Sequence, residues 1–356
     1  MTIQIPSKKS VVRAGDILRT ADPASDEYGK AIQLLSEWRS LYAYPLNTFN
    51  VLLRQKCRSL GLQDKSIVAR RLKRAPSIIA KLKRYPTMQL KRMQDIGGLR
   101  VIVPTVDDVR RLHESILGSH IGHEVVEPCD DYIKTPKPDG YRSLHQVFKY
   151  VSTQYEELNS LGLKVEVQIR TKIQHSWATA VETLGVIEKA AFKSGEGTED
   201  FKRFFLLSSA LLSILEKQPI VGSLQNVPPI DLVQELEDLD SRLKITFKLK
   251  GIVVSVEKVF DNKKTAGGFC LLELDASKNE LQLWKFKNGQ EQIAENFYKF
   301  REQENRNNES VEVVLISVDS LKKVQSAYPN YFLDCEDFIR NLRRVCTQIK
   351  REVAEK

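Results

Sequence analysis

DDYIKTPKPDGYRSLH, residues 130–145, and VEVQIRT, residues 165–171, decide how this chain is to be read. The first is a loop punctuated by Pro136, Pro138 and Gly140 that sets one aromatic ring, Tyr141, among the cations Lys134, Lys137 and Arg142. The second alternates with period two, so Glu166, Gln168 and Arg170 share one face of a strand and Val165, Val167 and Ile169 the other. A strand that spends its polar face on a carboxylate, an amide and a guanidinium lines something charged. A nucleobase offers its π face to a ring such as Tyr141, which is worth roughly 1–3 kcal/mol per base. The neighbouring cations suit the phosphates of the same ligand.

Further motifs lie on either side. In RLKRAPSIIAK (71–81) Pro76 opens a helix, since proline is tolerated in the first turn. Ser77 and the free amides of that turn then face an anion. Lys81 lies one turn on, on the same face, while Arg71 and Lys73 precede the helix and can close over a triphosphate. In QDIGGLRVIV (94–103) Asp95 stands before a strand whose alternation puts Arg100 and Ile102 on one face. Gly97 and Gly98 allow a sharp turn or a close backbone approach. The helix IQHSWATAVETLG (173–185) brings His175, Thr179 and Glu182 to one face, His175 being placed for a phosphate contact or for capping the helix. Each of these has an ordinary structural reading when taken singly. Their weight comes from order and spacing.

Together they resemble the RelA/SpoT nucleotidyltransferases, which move pyrophosphate from ATP to a ribose hydroxyl. The motifs that carry the resemblance span Arg71 to Glu182. It implies an α+β fold: a mixed β-sheet nucleotidyltransferase domain flanked by helices. It also implies that Arg71, Lys73, Ser77 and Lys81, with Arg170 and His175, hold ATP. Asp95 and Glu166 would ligate Mg2+ and, with Gln168 and Arg100, form the catalytic set. Tyr141, Lys137, Arg142 and His145 would bind the acceptor. No His-Asp dipeptide occurs, so the metal-dependent hydrolase half of bifunctional relatives is not expected.

Composition bounds the rest. With 356 residues, 42% hydrophobic and 28% charged, the chain has room for two soluble domains with their own cores. No apolar run reaches the ~20 residues a membrane span needs, and MTIQIPSKKS has no signal-peptide core. Five scattered cysteines form no CxxC pair, and no histidine follows His175, so no zinc site is expected in the C-terminal third. Reduced thiols point to a cytoplasmic protein. The net charge of +9 is concentrated: residues 51–100 carry 14 Lys/Arg against two acids. Such a block reads as a docking place for a polyanion or as a solvated helix face. With Lys8, Lys9 and Arg13 it is the candidate surface for the tRNA backbone that the resemblance of the whole chain, given below, implies.

Residues 10–60 read as helices, with strands expected at Leu99 to Pro104, Glu124 to Pro128, Leu144 to Val151 and Leu163 to Arg170. QPIVGSLQNVPP (218–229) is the expected linker between domains at 1–217 and 230–356. Beyond it come a helix near Ile230 to Leu243 and β-rich runs at Lys248 to Phe260 and Gly268 to Phe286. A loop at Glu302 to Ser310, a strand at Val311 to Val318 and a last amphipathic helix from about Asp334 follow. AYPNYFLD (327–334) carries Tyr328 and Tyr331 in a YxxY arrangement, with Asp334 close behind.

With this motif the whole chain resembles the CapRel group of fused toxin–antitoxins of antiphage defence, on the toxic short-synthetase branch of the family. That resemblance implies a β-rich C-terminal domain like a zinc finger without zinc. Its Tyr328, Tyr331 and Asp334 would dock over the ATP site. It further implies the tRNA 3′ end as acceptor, a block of translation, and a phage major capsid protein as activator. The same site residues would serve a free-standing alarmone synthetase acting on GDP, GTP or an adenine nucleotide. A non-catalytic RNA-binding module is the reading from another class.

Overall fold

Three helices open the chain: α1 (Lys8–Thr20), α2 (Asp26–Ser40) and α3 (Ala43–Ser59). Ser7 and Ser25 cap the first two, their hydroxyls accepting from Ser10 N and Tyr28 N. Leu18, Leu35, Trp38, Phe49 and Leu53 lie on their inner faces and are buried. The computed structural model describes residues 5–119, 122–191, 198–250, 255–258, 269–275, 278, 280–287, 289–305, 308, 311–317 and 335–355.

The inner faces of the helices rest on a sheet. Its first five strands are β1 (Ile67–Leu72), β2 (Gly97–Val103), β3 (Glu124–Asp131), β4 (Leu144–Lys149) and β5 (Lys164–Thr171). Helix α4 (Ala75–Arg84) follows β1, and α5 (Val106–Leu117) follows β2. Leu99, Val101 and Val103 of β2, Phe148 of β4, and Val165, Val167 and Ile169 of β5 join the core beneath α3 and α5. The alternation of β5 is therefore as expected, and its polar residues project from the other side of the sheet. β2 and β5 are parallel, with Gly98 opposite Glu166 and Arg100 opposite Gln168. β4 and β5 are antiparallel and set His145 opposite Gln168.

The C-terminal third supplies β6 (Ser255–Lys258), β7 (Phe269–Asp275), β8 (Glu280–Phe286) and β9 (Val311–Ser317). These strands continue the same sheet, in the order β3-β4-β5-β2-β1-β9-β7-β8-β6. The junction is short: Arg70 faces Ser317 and Arg71 faces Ile316 in an antiparallel pair. The sequence reading assigns no strand to 67–72, yet β1 forms there because it has β2 on one edge and β9 on the other. It also leaves 291–301 unassigned and takes 302–310 as a loop; the helix α10 (Glu291–Glu304) occupies 291–304, with Ala294 and Tyr298 turned inward. Residues 248–250, read as β-rich, end the short helix α9 (Ile245–Lys250).

A second core is helical. α6 (Lys172–Ala191), α7 (Thr198–Leu215), α8 (Pro229–Leu243) and α11 (Glu336–Ala354) pack through Trp177, Phe204, Leu211, Leu236, Phe338 and Leu342. Elements on both sides of 218–229 therefore share this core. No described helix is long and apolar enough to cross a membrane.

Candidate active site

Glu166 lies on the polar face of β5, its side chain 17% exposed, and both its oxygens are engaged. Oε1 meets His145 Nδ1 at 3.0 Å and Oε2 accepts from Gln168 Nε2 at 2.8 Å. His145 Nε2 lies 2.8 Å from the Tyr141 hydroxyl. Arg170 Nη2 donates both to that hydroxyl at 3.0 Å and to Gln168 Oε1 at 2.7 Å. The five side chains close a circuit. An ionised carboxylate can only accept, so Nδ1 of His145 carries the proton and Nε2 accepts from Tyr141. Burial raises the Glu166 carboxyl, but the bonds from His145 and Gln168 outweigh it and hold the group below the usual carboxylate range.

Tyr141 is held by its loop as well as by its hydroxyl. Its amide donates to Asp139 Oδ1 at 3.0 Å, and Lys137 N donates to the Tyr141 carbonyl at 3.2 Å. Gly140 has φ +89°, and a Cβ there would come within 2.8 Å of the Ser209 Cβ on α7. Only glycine meets both demands. Ser209 Oγ in turn donates to the Gly140 carbonyl at 2.5 Å. Lys137 Nζ lies 5.2 Å from the Tyr141 ring centroid and the Arg170 guanidinium 5.5 Å, so cations flank the ring.

Asp95 ends the turn before β2. Lys73 Nζ and Lys81 Nζ reach its two oxygens at 2.7 and 2.9 Å. Burial raises this carboxyl too, and the two lysines together overcome it and keep the group low. Asp95 is near enough for its charge to oppose the ionisation of Glu166. Among the described residues no group of three or more His, Cys, Asp or Glu side chains gathers for a metal. Two carboxylates still fit Mg2+, which takes one or two and completes its shell with water and phosphate.

The N-terminus of α4 has no local side-chain cap; Arg74 occupies the cap position, with Pro76 in the first turn. Its anion comes from α10: Glu302 Oε1 accepts from Ala75 N at 3.0 Å. Glu302 also binds Arg39 Nη1 at 2.7 Å, and Arg39 Nε donates to the Lys73 carbonyl at 3.0 Å. Burial would raise the Glu302 carboxyl, and Arg39 reverses this. On β9, Glu312 pairs with Arg74 at 2.9 Å. The helix start that the sequence offers to a phosphate thus carries a carboxylate from the C-terminal third. The sequence reading gives Arg39, Glu302 and Glu312 no part in the site and takes Glu302 as the start of a loop, because nothing local announces contacts across more than 200 residues.

Other candidates lie elsewhere. Arg142 is 5% exposed, its Nε 3.3 Å from Ser209 Oγ, and burial lowers its pKa to about 10. It points into the α7 packing, apart from the cations around the Tyr141 ring. Arg100 is buried next to Gln168 in the register, Ser77 is half-buried in the first turn of α4 and Arg71 is exposed on β1. His175 is buried in α6, whose start is capped reciprocally by Thr171 and Gln174: Thr171 N donates to Gln174 Oε1 and Gln174 N to Thr171 Oγ1, each at 3.1 Å. Gly97 approaches the Tyr42 ring, which a Cβ would meet at 2.5 Å, so its close contact is with packing. Lys8, Lys9 and Arg13 line an open groove on α1 with Gln89 and Lys91. Tyr328, Tyr331 and Asp334 lie outside the described residues.

Residues 70–196 match the family model described as the region found in RelA / SpoT proteins. The chain is 38% identical over 120 residues to GTP pyrophosphokinase YjbM of Bacillus subtilis, covering 33% of this chain and 54% of that protein. It is 34% identical over 114 residues to GTP pyrophosphokinase YwaC of the same organism, covering 31% and 52%. The matches thus span about half the length of these curated relatives. Among solved structures, small alarmone synthetase 1 from Bacillus subtilis bound to its product pppGpp aligns over 52% of this chain and 94% of its own, at 28% identity and TM-score 0.42.

Proposed function

We propose that this chain is an ATP-dependent pyrophosphotransferase whose acceptor is the ribose 3′-hydroxyl at the 3′ end of tRNA. The observation that supports it most is the circuit joining Glu166 to Tyr141 through His145. It ties an ionised, half-sheltered carboxylate to an aromatic platform at a fixed spacing. A terminal adenosine stacked on Tyr141 brings its hydroxyl towards Glu166, which takes the proton. The oxygen attacks the β-phosphorus of ATP, the bond from that phosphorus to the α-phosphate oxygen breaks, and AMP leaves. Lys73, Lys81 and Arg170 hold the phosphates and offset the charge that develops on them. Mg2+ on Asp95 and Glu166 would add charge neutralisation at the phosphates.

In the same proposal the C-terminal third restrains the site in the cytoplasm until a phage major capsid protein binds it. The carboxylates of Glu302 and Glu312 at the start of α4 support this, since they stand where ATP phosphates would dock. A second reading, alarmone synthesis on GDP, GTP or an adenine nucleotide, is supported by the relatives named GTP pyrophosphokinase. Incubating the protein with β,γ-labelled ATP and either tRNA or free nucleotides, with and without capsid protein, separates the two. Label on tRNA only when capsid protein is present supports the first reading. Label on GDP or GTP alone supports the second.

A further inference from the structure

Arg142 follows Tyr141 in the chain and is buried against α7, only 5% exposed. Its Nε reaches Ser209 Oγ at 3.3 Å, but Nη1 and Nη2 are shut off from water and have no hydrogen-bond partner among the described residues. Buried guanidinium donors are costly to leave unmet. A cavity of about 10 Å³ adjoins them, bounded in part by Gly140, Gln174, Ser209, Ser213 and Glu216. It has room for one water molecule, which needs ~10–15 Å³ and polar partners on its walls.

Glu216 stands just past the end of α7 and supplies the opposite charge. Its Oε1 accepts from Thr171 Oγ1, and its Oε2 accepts from Gln174 Nε2 at 3.0 Å. Burial raises its carboxyl, and these two bonds with the charge of Arg142 oppose the rise. Each carboxylate oxygen keeps a lone pair for a further donor. Both Nη atoms of Arg142 lack a partner, so no direct bond joins the two side chains. The segments on either side of the gap frame the acceptor ring. Arg142 is next to Tyr141, and Thr171 is next to Arg170, whose Nη2 donates to the Tyr141 hydroxyl at 3.0 Å.

We infer that Arg142 is a positioning residue for the Tyr141 ring: one water accepts from its guanidinium and donates to Glu216, and this bridged ion pair fastens the Tyr141 loop and the end of β5 to α7. Arg142 acts through Tyr141 and touches neither acceptor nor ATP. The inference rests on the reading of Tyr141 as the acceptor platform.

Thermal midpoints of the full chain, of Arg142→Met, of Glu216→Gln and of the double variant test the pair without turnover. Each single change should lower the midpoint by about 2 °C or more, and the double change by less than the two shifts together. A raised midpoint in Arg142→Met, as the loss of an unpaired buried charge would give, or strictly additive shifts, would overturn the pair. Diffraction from the full chain should place a water within hydrogen-bond distance of an Arg142 Nη and a Glu216 oxygen; a dry gap there would remove the bridge. Steady-state transfer to tRNA or GTP, whichever takes the label, tests the positioning. Arg142→Met should raise the acceptor KM at least ~5-fold, with smaller changes in kcat and in the KM for ATP. Arg142→Lys should recover part of that loss. A fall in kcat with the acceptor KM unchanged would reduce Arg142 to a packing residue. Absence of transfer to either acceptor by the wild-type chain would remove the platform and the positioning role with it, while the midpoints still decide the pair.

Discussion

Replacing Glu302 with Gln keeps the shape of the α10–α4 contact and removes its charge. The carboxylate serves Arg39 at 2.7 Å, Ala75 N at 3.0 Å and the Tyr298 hydroxyl at 3.0 Å. Arg39 is only 3% exposed, so it would be left buried with the Lys73 carbonyl and Tyr298 as partners and no counter-charge. Removing one member of a buried ion pair costs about 3–5 kcal/mol. The Glu302 side chain is 16% exposed, and Gln can still bond to Arg39, so the lower end of that range, about 3 kcal/mol, is expected. Urea unfolding of the full chain measures it. The same variant frees the first turn of α4, so ATP should bind more tightly and basal transfer should rise. Unchanged stability together with unchanged ATP affinity would refute the view that Glu302 caps α4 and masks a phosphate site.

Tyr141→Ala should weaken acceptor use by the stacking contribution, about 1–3 kcal/mol, read as a raised acceptor KM with ATP binding unaltered. Gly140→Ala meets both the positive φ and the Ser209 side chain, so it should displace the Tyr141 loop and lower kcat without unfolding the sheet, as checked by circular dichroism and steady-state kinetics. Asp95, Glu166 and Glu302 all have carboxyls held below their ordinary range by partners in the folded state. Their contribution to stability is therefore full above the unfolded carboxylate pKa, about 4, and is lost as pH falls through the lower folded values. Unfolding free energies measured between pH 3 and 7 should decline at the acid end, and Glu302→Gln should lack its share of that slope.

The polar face of β5 was legible because it is local. Period-two alternation in 165–171 puts Glu166, Gln168 and Arg170 together, and the Pro/Gly spacing of 136–140 announces the loop that carries Tyr141. The capping pair Thr171 and Gln174 is also written in the sequence, as Thr-x-x-Gln before an apolar helix, and takes the capping role that the sequence reading offers to His175. What escaped was non-local. β1 reads as a basic stretch, since only its pairing with β2 and β9 makes it a strand. The Arg39–Glu302 bond joins helices 263 residues apart, and no periodicity reports it. Arg142 sits among loop cations in the sequence, but the tight packing of Gly140 against Ser209 turns it into the protein.

On the proposed function, Asp95 and Glu166 serve pyrophosphate transfer from ATP. The most direct measurement is AMP release and label transfer from β,γ-labelled ATP by the wild-type chain, Asp95→Asn and Glu166→Gln. The assay contains tRNA and nucleotide acceptors, and capsid protein in a parallel set. A wild-type chain that transfers label, with either variant reduced by at least ~10³-fold while its fold is retained, is the expected result. Near-normal transfer by either variant, or no transfer by the wild-type chain to any acceptor under either condition, would contradict it.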